Sequence, residues 1–201
     1  YASAGGHIVT NYHVISKLIH TPDRYRIETT DGSGQSIQAS VLGVDVVYDL
    51  AVLRTNRRPK SFLVLESKPV EQGTRLYSLG HPRDLGLTIV EGTYNGLLRH
   101  TLYPKVHFTG SLNPGMSGGP ALTQAGRVVG VNVATEGEQI SYLVPAERVF
   151  ALLERTVNLH APPAQAFLAE VGKQIRANQA RYLEGLFSST TPSVSVGPYS
   201  L

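Results

Sequence analysis

Residues 113–122 read NPGMSGGPAL, which places one hydroxyl, Ser117, among three glycines and two prolines. Such a stretch cannot run as a helix and is poor material for a strand interior, so it is a turn. A serine in a turn often does no more than bond its local backbone. The alternative is a nucleophile on a tight loop whose N–H groups converge on an oxyanion, a shape that glycine permits and a Cβ obstructs. That alternative makes a demand on the rest of the chain, because a serine hydroxyl is a weak nucleophile and needs both a base and a group to orient the base.

The surrounding chain reads as all-β. From residue 1 to about 144, short apolar stretches such as HIVT, YRIETT, SIQASVLGVD, LAVLRT, FLVLES, TRLYSLG, LTIVEGTYNGLL, KVHFTG, RVVGVNVA and ISYLVP alternate with Gly, Pro, Asp and Asn. Many short strands with turn signals between them predict a sandwich or barrel, not βα units. The polar segment ESKPVEQG at 66–73 divides them into two blocks of comparable length, giving a first unit over 1–70 and a second over 71–157. Helix is expected only late. PAERVFALLER, 145–155, carries Val149, Leu152 and Leu153 at helical spacing, and a second helix over about 164–187 carries Phe167, Val171, Ile175, Tyr182 and Leu186 on one stripe. That second helix, in an extension over 158–201, could pack back on the second barrel, connect to a further domain or serve self-association.

Composition narrows the function. The 201 residues are 41% hydrophobic with a net charge of +3, and the one basic run, Arg54, Arg57, Arg58 and Lys60, reads as a solvated loop, so no nucleic-acid partner is expected. There is no cysteine, hence no disulfide and no thiolate nucleophile. No run is long enough for a membrane span, and the first residues lack the pattern of a signal peptide. Because the chain opens inside what reads as structure, it is expected to be a fragment of a longer protein, and its compartment is left open. Besides His13 the histidines are His7, His20, His81, His100, His107 and His160, none in a metal-ligand spacing, so no metal or other cofactor is expected.

His13 follows the strand-like HIVT within TNYHVI and is expected at a buried strand end, where a base could be aimed. In GVDVVYDLAVL, Asp49 interrupts an apolar run, and a carboxylate there needs a partner such as a histidine N–H. Asp45 is the competing acid, but its position beside Gly43 is more turn-like and reads as structural.

His, Asp and Ser in this chain order, in an all-β protein, resemble the trypsin-like serine peptidases, most closely the bacterial HtrA (DegP-like) branch. HIVTNYHVI is similar to the family's histidine motif, DLAVL to its aspartate motif and NPGMSGGPAL to its serine motif, with LGHPRDLGLTIVEGTYNGL and GRVVGVNVA similar to parts of the second barrel. The G-x-S-x-G of α/β-hydrolases also fits GMSGG, but their acid and histidine follow the serine, and here no Asp occurs after Asp84.

The resemblance, which covers about residues 1–155, implies two packed six-stranded antiparallel barrels, the first lacking its first strand and so left with an unpaired edge. It implies a serine endopeptidase with His13, Asp49 and Ser117 as the catalytic triad and an oxyanion hole in the Gly115–Met116–Ser117 turn. A polypeptide substrate would add as a strand along Val133, Ala134 and Thr135, with Ser111 at the floor of the specificity pocket and Ser141 on its wall. None of these is acidic, which implies a preference for apolar or small side chains before the cleaved bond. Met116 departs from the family pattern, where Asn is usual, and puts the support of the turn in question. The competing implication is a trypsin-like fold kept as a protein-binding scaffold.

Overall fold

A computed structural model describes residues 1–82, 85–98, 103–136 and 140–188, the side chains of 134–136, 140, 187 and 188 excepted. Eleven strands and three helices follow in order: β1 (His7–Thr10), α1 (Tyr12–His20), β2 (Ile27–Thr30), β3 (Ser36–Asp45), β4 (Leu50–Thr55), β5 (Val64–Leu65), β6 (Arg75–Gly80), β7 (Thr88–Leu98), β8 (Lys105–Phe108), β9 (Pro120–Leu122), β10 (Arg127–Glu136), β11 (Ile140–Pro145), α2 (Ala146–Thr156) and α3 (Ala166–Ser188). The all-β reading with C-terminal helices holds.

The second lobe closes. Its strands run β11-β8-β7-β6-β9-β10, and β10 pairs again with β11 to complete a six-stranded barrel. Leu76, Val106, Phe108, Leu112, Met116, Ala121, Val129 and Leu143 fill it. The first lobe is an open half-barrel of four strands in the order β1-β4-β3-β2. FLVLES, on the first-lobe side of the seam read from the sequence, contributes β5 to the other sheet, in parallel with Arg127 and Val128 of β10. The polar run Asn56–Lys60, ending beside Pro59, carries the chain across without pairing in the first sheet.

A third apolar cluster locks the lobes together. Leu42, Leu50 and Val52 of the half-barrel meet Val131 and Val144 of the barrel and Val149 and Leu152 of α2. Here α2 presses so closely on β3 that a Cβ on Gly43 would come within 2.4 Å of Thr156 Cγ2. The two lobes are therefore held in one relative orientation by buried side chains, and the cleft between them inherits that rigidity.

One element is new to the sequence reading, and another takes a place which that reading leaves open. α1 follows HIVT directly, where the sequence reading places only His13, at a strand end: its Ile15 and Ile19, one turn apart, are buried in the first-lobe core, while β-branched Val14, Ile15 and Ile19 give it a weak intrinsic helix signal. α3, for which the sequence leaves three placements open, packs on the first lobe, with Phe167 and Val171 in the same cluster as Ile15 and Ile19.

His7 opens β1 opposite Arg54 of β4 and is buried. Burial pushes its imidazole below the ordinary value of 6.5, the Arg54 charge adds to this, and the Val157 backbone partly offsets it. Below about pH 6.5 the unfolded chain then binds a proton that the native state resists, so this contribution to stability is complete above that pH and lost as the pH falls. Urea denaturation between pH 7.5 and 5 should show stability declining toward acid, with a shallower decline in His7→Asn.

Candidate active site

Asp49 lies at the end of the short turn from β3 to β4, with a φ of 54°, a left-handed conformation that Asp tolerates better than most residues. Its backbone carbonyl accepts hydrogen bonds from Tyr12 N at 3.1 Å and from Asn11 Nδ2 at 2.9 Å. Its carboxylate reaches the same helix start: Oδ1 accepts from His13 N at 2.8 Å and Oδ2 from His13 Nδ1 at 2.6 Å. The first N–H groups of a helix have no partner within the helix, and α1 has no acidic residue in its first turn and no cap bond from the Asn11 side chain. Asp49 supplies that cap from across the sheet, with a negative charge at the positive end of the helix.

His13 is therefore the second residue of α1, a correction to its expected place at a strand end. The helix start serves the same purpose, because one carboxylate fixes both the backbone N–H and the ring of a single residue. A ring that donates through Nδ1 carries its neutral lone pair on Nε2. The pair is open to solvent, the His13 side chain 48% and the Asp49 side chain 29% exposed.

The serine turn is wedged between the end of β6 and the end of β1. Gly115 and Gly118 have φ of +98° and +81°. A Cβ would come within 2.4 Å of the His81 carbonyl oxygen at Gly115, 2.3 Å of Thr10 Oγ1 at Gly118 and 2.0 Å of the Leu79 carbonyl oxygen at Gly119. Thr10 is the last residue of β1, so the turn abuts the strand that leads into Asn11 and His13. Met116 points inward, fully buried in the barrel core, with its backbone and side chain against Gly80. The support questioned at the sequence level is apolar.

The polar support comes from Asn132, which the sequence reading passed over. This buried residue of β10 donates through Nδ2 to the Met116 carbonyl at 3.0 Å and the Leu79 carbonyl at 3.2 Å, while Oδ1 accepts from Ser78 Oγ at 2.8 Å. Its backbone exchanges bonds with the turn as well, Asn132 N to Gly119 O at 2.8 Å and Gly118 N to Asn132 O at 3.0 Å. The available signal was one amide in the apolar run RVVGVNVA. Among the described residues, the N–H groups of Gly115 and Ser117 donate to no protein acceptor, whereas those of Met116, Gly118 and Gly119 do. Ser117 Oγ donates to the Val133 carbonyl at 3.3 Å rather than to the His13 ring.

A cleft of about 400 Å³ between the lobes is lined by His13, Asp49, Val133 and Val144 together with residues 46–48 and 103–105, and Val133 is the residue whose carbonyl Ser117 Oγ bonds. Val133 is the extra residue of a β-bulge, since Asn132 pairs with Leu143 and Ala134 with Tyr142. Along β10, β9 reaches only residues 128–131, so on that side the edge of β10 from Val133 onward carries no described strand. The side chains of Ala134 and Thr135 lie outside the described residues. Ser141 is buried, its Oγ accepting from Leu112 N at 3.1 Å, and Ser111 is exposed one residue before Leu112.

A half-barrel and a closed barrel around a cleft with a paired His and Asp, and a glycine-rich serine turn that abuts the end of β1, define a trypsin-like architecture. The trypsin-like peptidase domain family matches residues 1–131, and the chain belongs to that family. It is 30% identical over 202 residues to the mitochondrial serine protease HTRA2 of Bos taurus, covering 96% of this chain and 41% of that protein. It is 32% identical over 138 residues to a probable periplasmic DegP-like serine endoprotease of Chlamydia muridarum, covering 66% of this chain and 27% of that protein. The chain thus spans less than half the length of these relatives. Its fold is similar to the serine endoprotease of Yersinia pestis, with a TM-score of 0.66 and 26% identity over 77% of this chain and 54% of the other. No helix among the described residues is long and apolar enough to cross a membrane.

Asn132→Asp keeps the acceptor for Ser78 and removes both donors to the turn, leaving the Leu79 and Met116 carbonyls beside a buried carboxylate. We expect a loss of at least about 1–3 kcal/mol in urea denaturation, and a loss of only about 0.5–1.5 kcal/mol for Ser78→Ala.

Proposed function

We propose that this chain is the peptidase unit of a serine endopeptidase, with Ser117 as nucleophile, His13 as general base and acid, and Asp49 as the group that orients His13. The observation that carries this reading is the two-point grip of Asp49 on His13, together with a serine turn whose Gly115 and Ser117 N–H groups are free to donate and whose Ser117 Oγ bonds the carbonyl of Val133, a residue of the same cleft.

Ser117 first turns its hydroxyl from the Val133 carbonyl toward His13 Nε2. His13 takes the hydroxyl proton as Oγ bonds to the scissile carbonyl carbon, and Asp49 stabilises the imidazolium that results. The carbonyl oxygen, now negative, receives the Gly115 and Ser117 N–H groups, with Met116 between them anchoring the turn in the core. His13 then gives its proton to the departing amine as the C–N bond breaks. Water repeats the sequence on the acyl-enzyme: His13 takes its proton, its oxygen bonds to the acyl carbon, and Ser117 Oγ leaves with that proton.

The polypeptide substrate lies as an extra strand on the open edge of β10 at Val133–Thr135, where side chains alternate between pocket and solvent. Ser111 and Ser141 offer no carboxylate to a basic side chain, so the residue before the cleaved bond is apolar or small. We place the peptidase unit at residues 1–157, followed over 158–201 by an extension whose described part carries α3.

A fluorophosphonate probe should label the purified chain, and Ser117→Ala should remove the label. Asp49→Asn, which keeps the shape but not the charge, should lower turnover of an unstructured protein substrate by about 10⁴-fold. A folded chain that is neither labelled nor active would instead be a binding module.

A further inference from the structure

The long C-terminal helix has no part in the reaction above, yet it touches both carriers of the His13–Asp49 pair. On one side Phe167 and Val171 sit in a cluster with Ile15 and Ile19, the buried residues of the helix that bears His13. On the other, one turn further along the same stripe, Gln174 grips the backbone just before the turn that bears Asp49. Its Nε2 donates to the Val44 carbonyl at 2.9 Å, and its Oε1 accepts from Val46 N at 2.9 Å.

The reason lies in the sheet. β2 pairs only with Ser36–Ala39 of β3, while β4 follows β3 to Asp45. The outer edge of β3 beyond residue 39 therefore has no neighbouring strand among the described residues, and Gln174 satisfies one acceptor and one donor there as a strand would. The Glu170 carboxylate, accepting from Gln174 Nε2 at 2.8 Å, holds the amide in this orientation. The rest of the turn is held by side chains as well: Asp45 accepts from Tyr48 N at 3.1 Å and pairs with Arg155 at 2.9 Å, and the Arg148 guanidinium stacks on Tyr48. Asp49 itself stays in a left-handed conformation that costs a non-glycine residue energy unless its surroundings enforce it.

We infer that Gln174 is a positioning residue for Asp49, and that α3 is a clamp that sets the turn bearing the acid against the helix bearing the base. This rests on the assignment of His13 and Asp49 as base and orienting acid. A displacement of α3 is then read at the imidazole, because successive positions on one stripe of the helix contact the carriers of both groups.

The test uses the full chain with Gln174→Ala, Gln174→Glu, which keeps an acceptor for Val46 N and loses the donor to Val44, and Leu168→Ala, an exposed α3 residue, as control. Turnover of a fluorogenic peptide is measured well below each variant's melting temperature, together with the proton NMR signal of His13 Nδ1–H. Gln174→Ala should lower kcat by about 10–100-fold at unchanged KM and broaden or shift that signal, Gln174→Glu should fall between, and Leu168→Ala should match the wild type. Wild-type kcat and an unmoved His13 signal in Gln174→Ala, whatever its melting temperature, would overturn the inference and leave α3 a packing element. Asp49→Asn at wild-type kcat would instead refute the underlying assignment, and the inference with it.

Discussion

One carboxylate bridges two chain segments far apart in sequence, and the cleft takes its form from that contact. Asp49 closes the N-terminus of α1 with one oxygen and holds the His13 ring with the other. Neither half stands alone. The helix start needs an acceptor for its free N–H groups, and an unheld imidazole on an exposed helix surface would sample several rotamers. Because the two oxygens of one carboxylate serve the two needs, ring orientation is coupled to the capping of the helix.

The second lobe solves a different problem with neutral groups. A turn that leaves two N–H groups without acceptors has to be held by its other backbone atoms, and here the Asn132 amide and the buried Met116 side chain do so. An amide can donate to two carbonyls while accepting from a hydroxyl, and it carries no charge that would have to be desolvated in the barrel interior. Met116, whose identity departs from the family's usual polar residue, fills the space against Gly80, where a side chain at residue 80 would collide with it. The support is dry and tightly packed, so the turn is rigid where it is anchored and open where it faces the cleft.

The serine turn, the His-Asp-Ser order, the closing helix α2 and the all-β class were legible because each leaves a local trace: glycines at positive φ, a lone Asp in an apolar run, apolar residues at helical spacing. α1 was not legible, since its β-branched residues weaken its helix signal and its cap is Asp49, thirty-six residues after His13. β5 was misallocated for a similar reason, because two residues of pairing to Val128 leave no mark in FLVLES itself. Asn132 and Gln174 were invisible as anchors, since their partners are backbone atoms of distant segments, and only the folded chain brings those atoms within reach.

The most direct test of the central claim is a crystal structure of the chain after reaction with a fluorophosphonate. The account predicts phosphorus bonded to Ser117 Oγ, one phosphoryl oxygen within hydrogen-bond distance of both Gly115 N and Ser117 N, and His13 still joined to Asp49 on the far side of the adduct. A phosphoryl group on any other residue, or one on Ser117 whose oxygens face solvent while His13 lies out of reach, would contradict it.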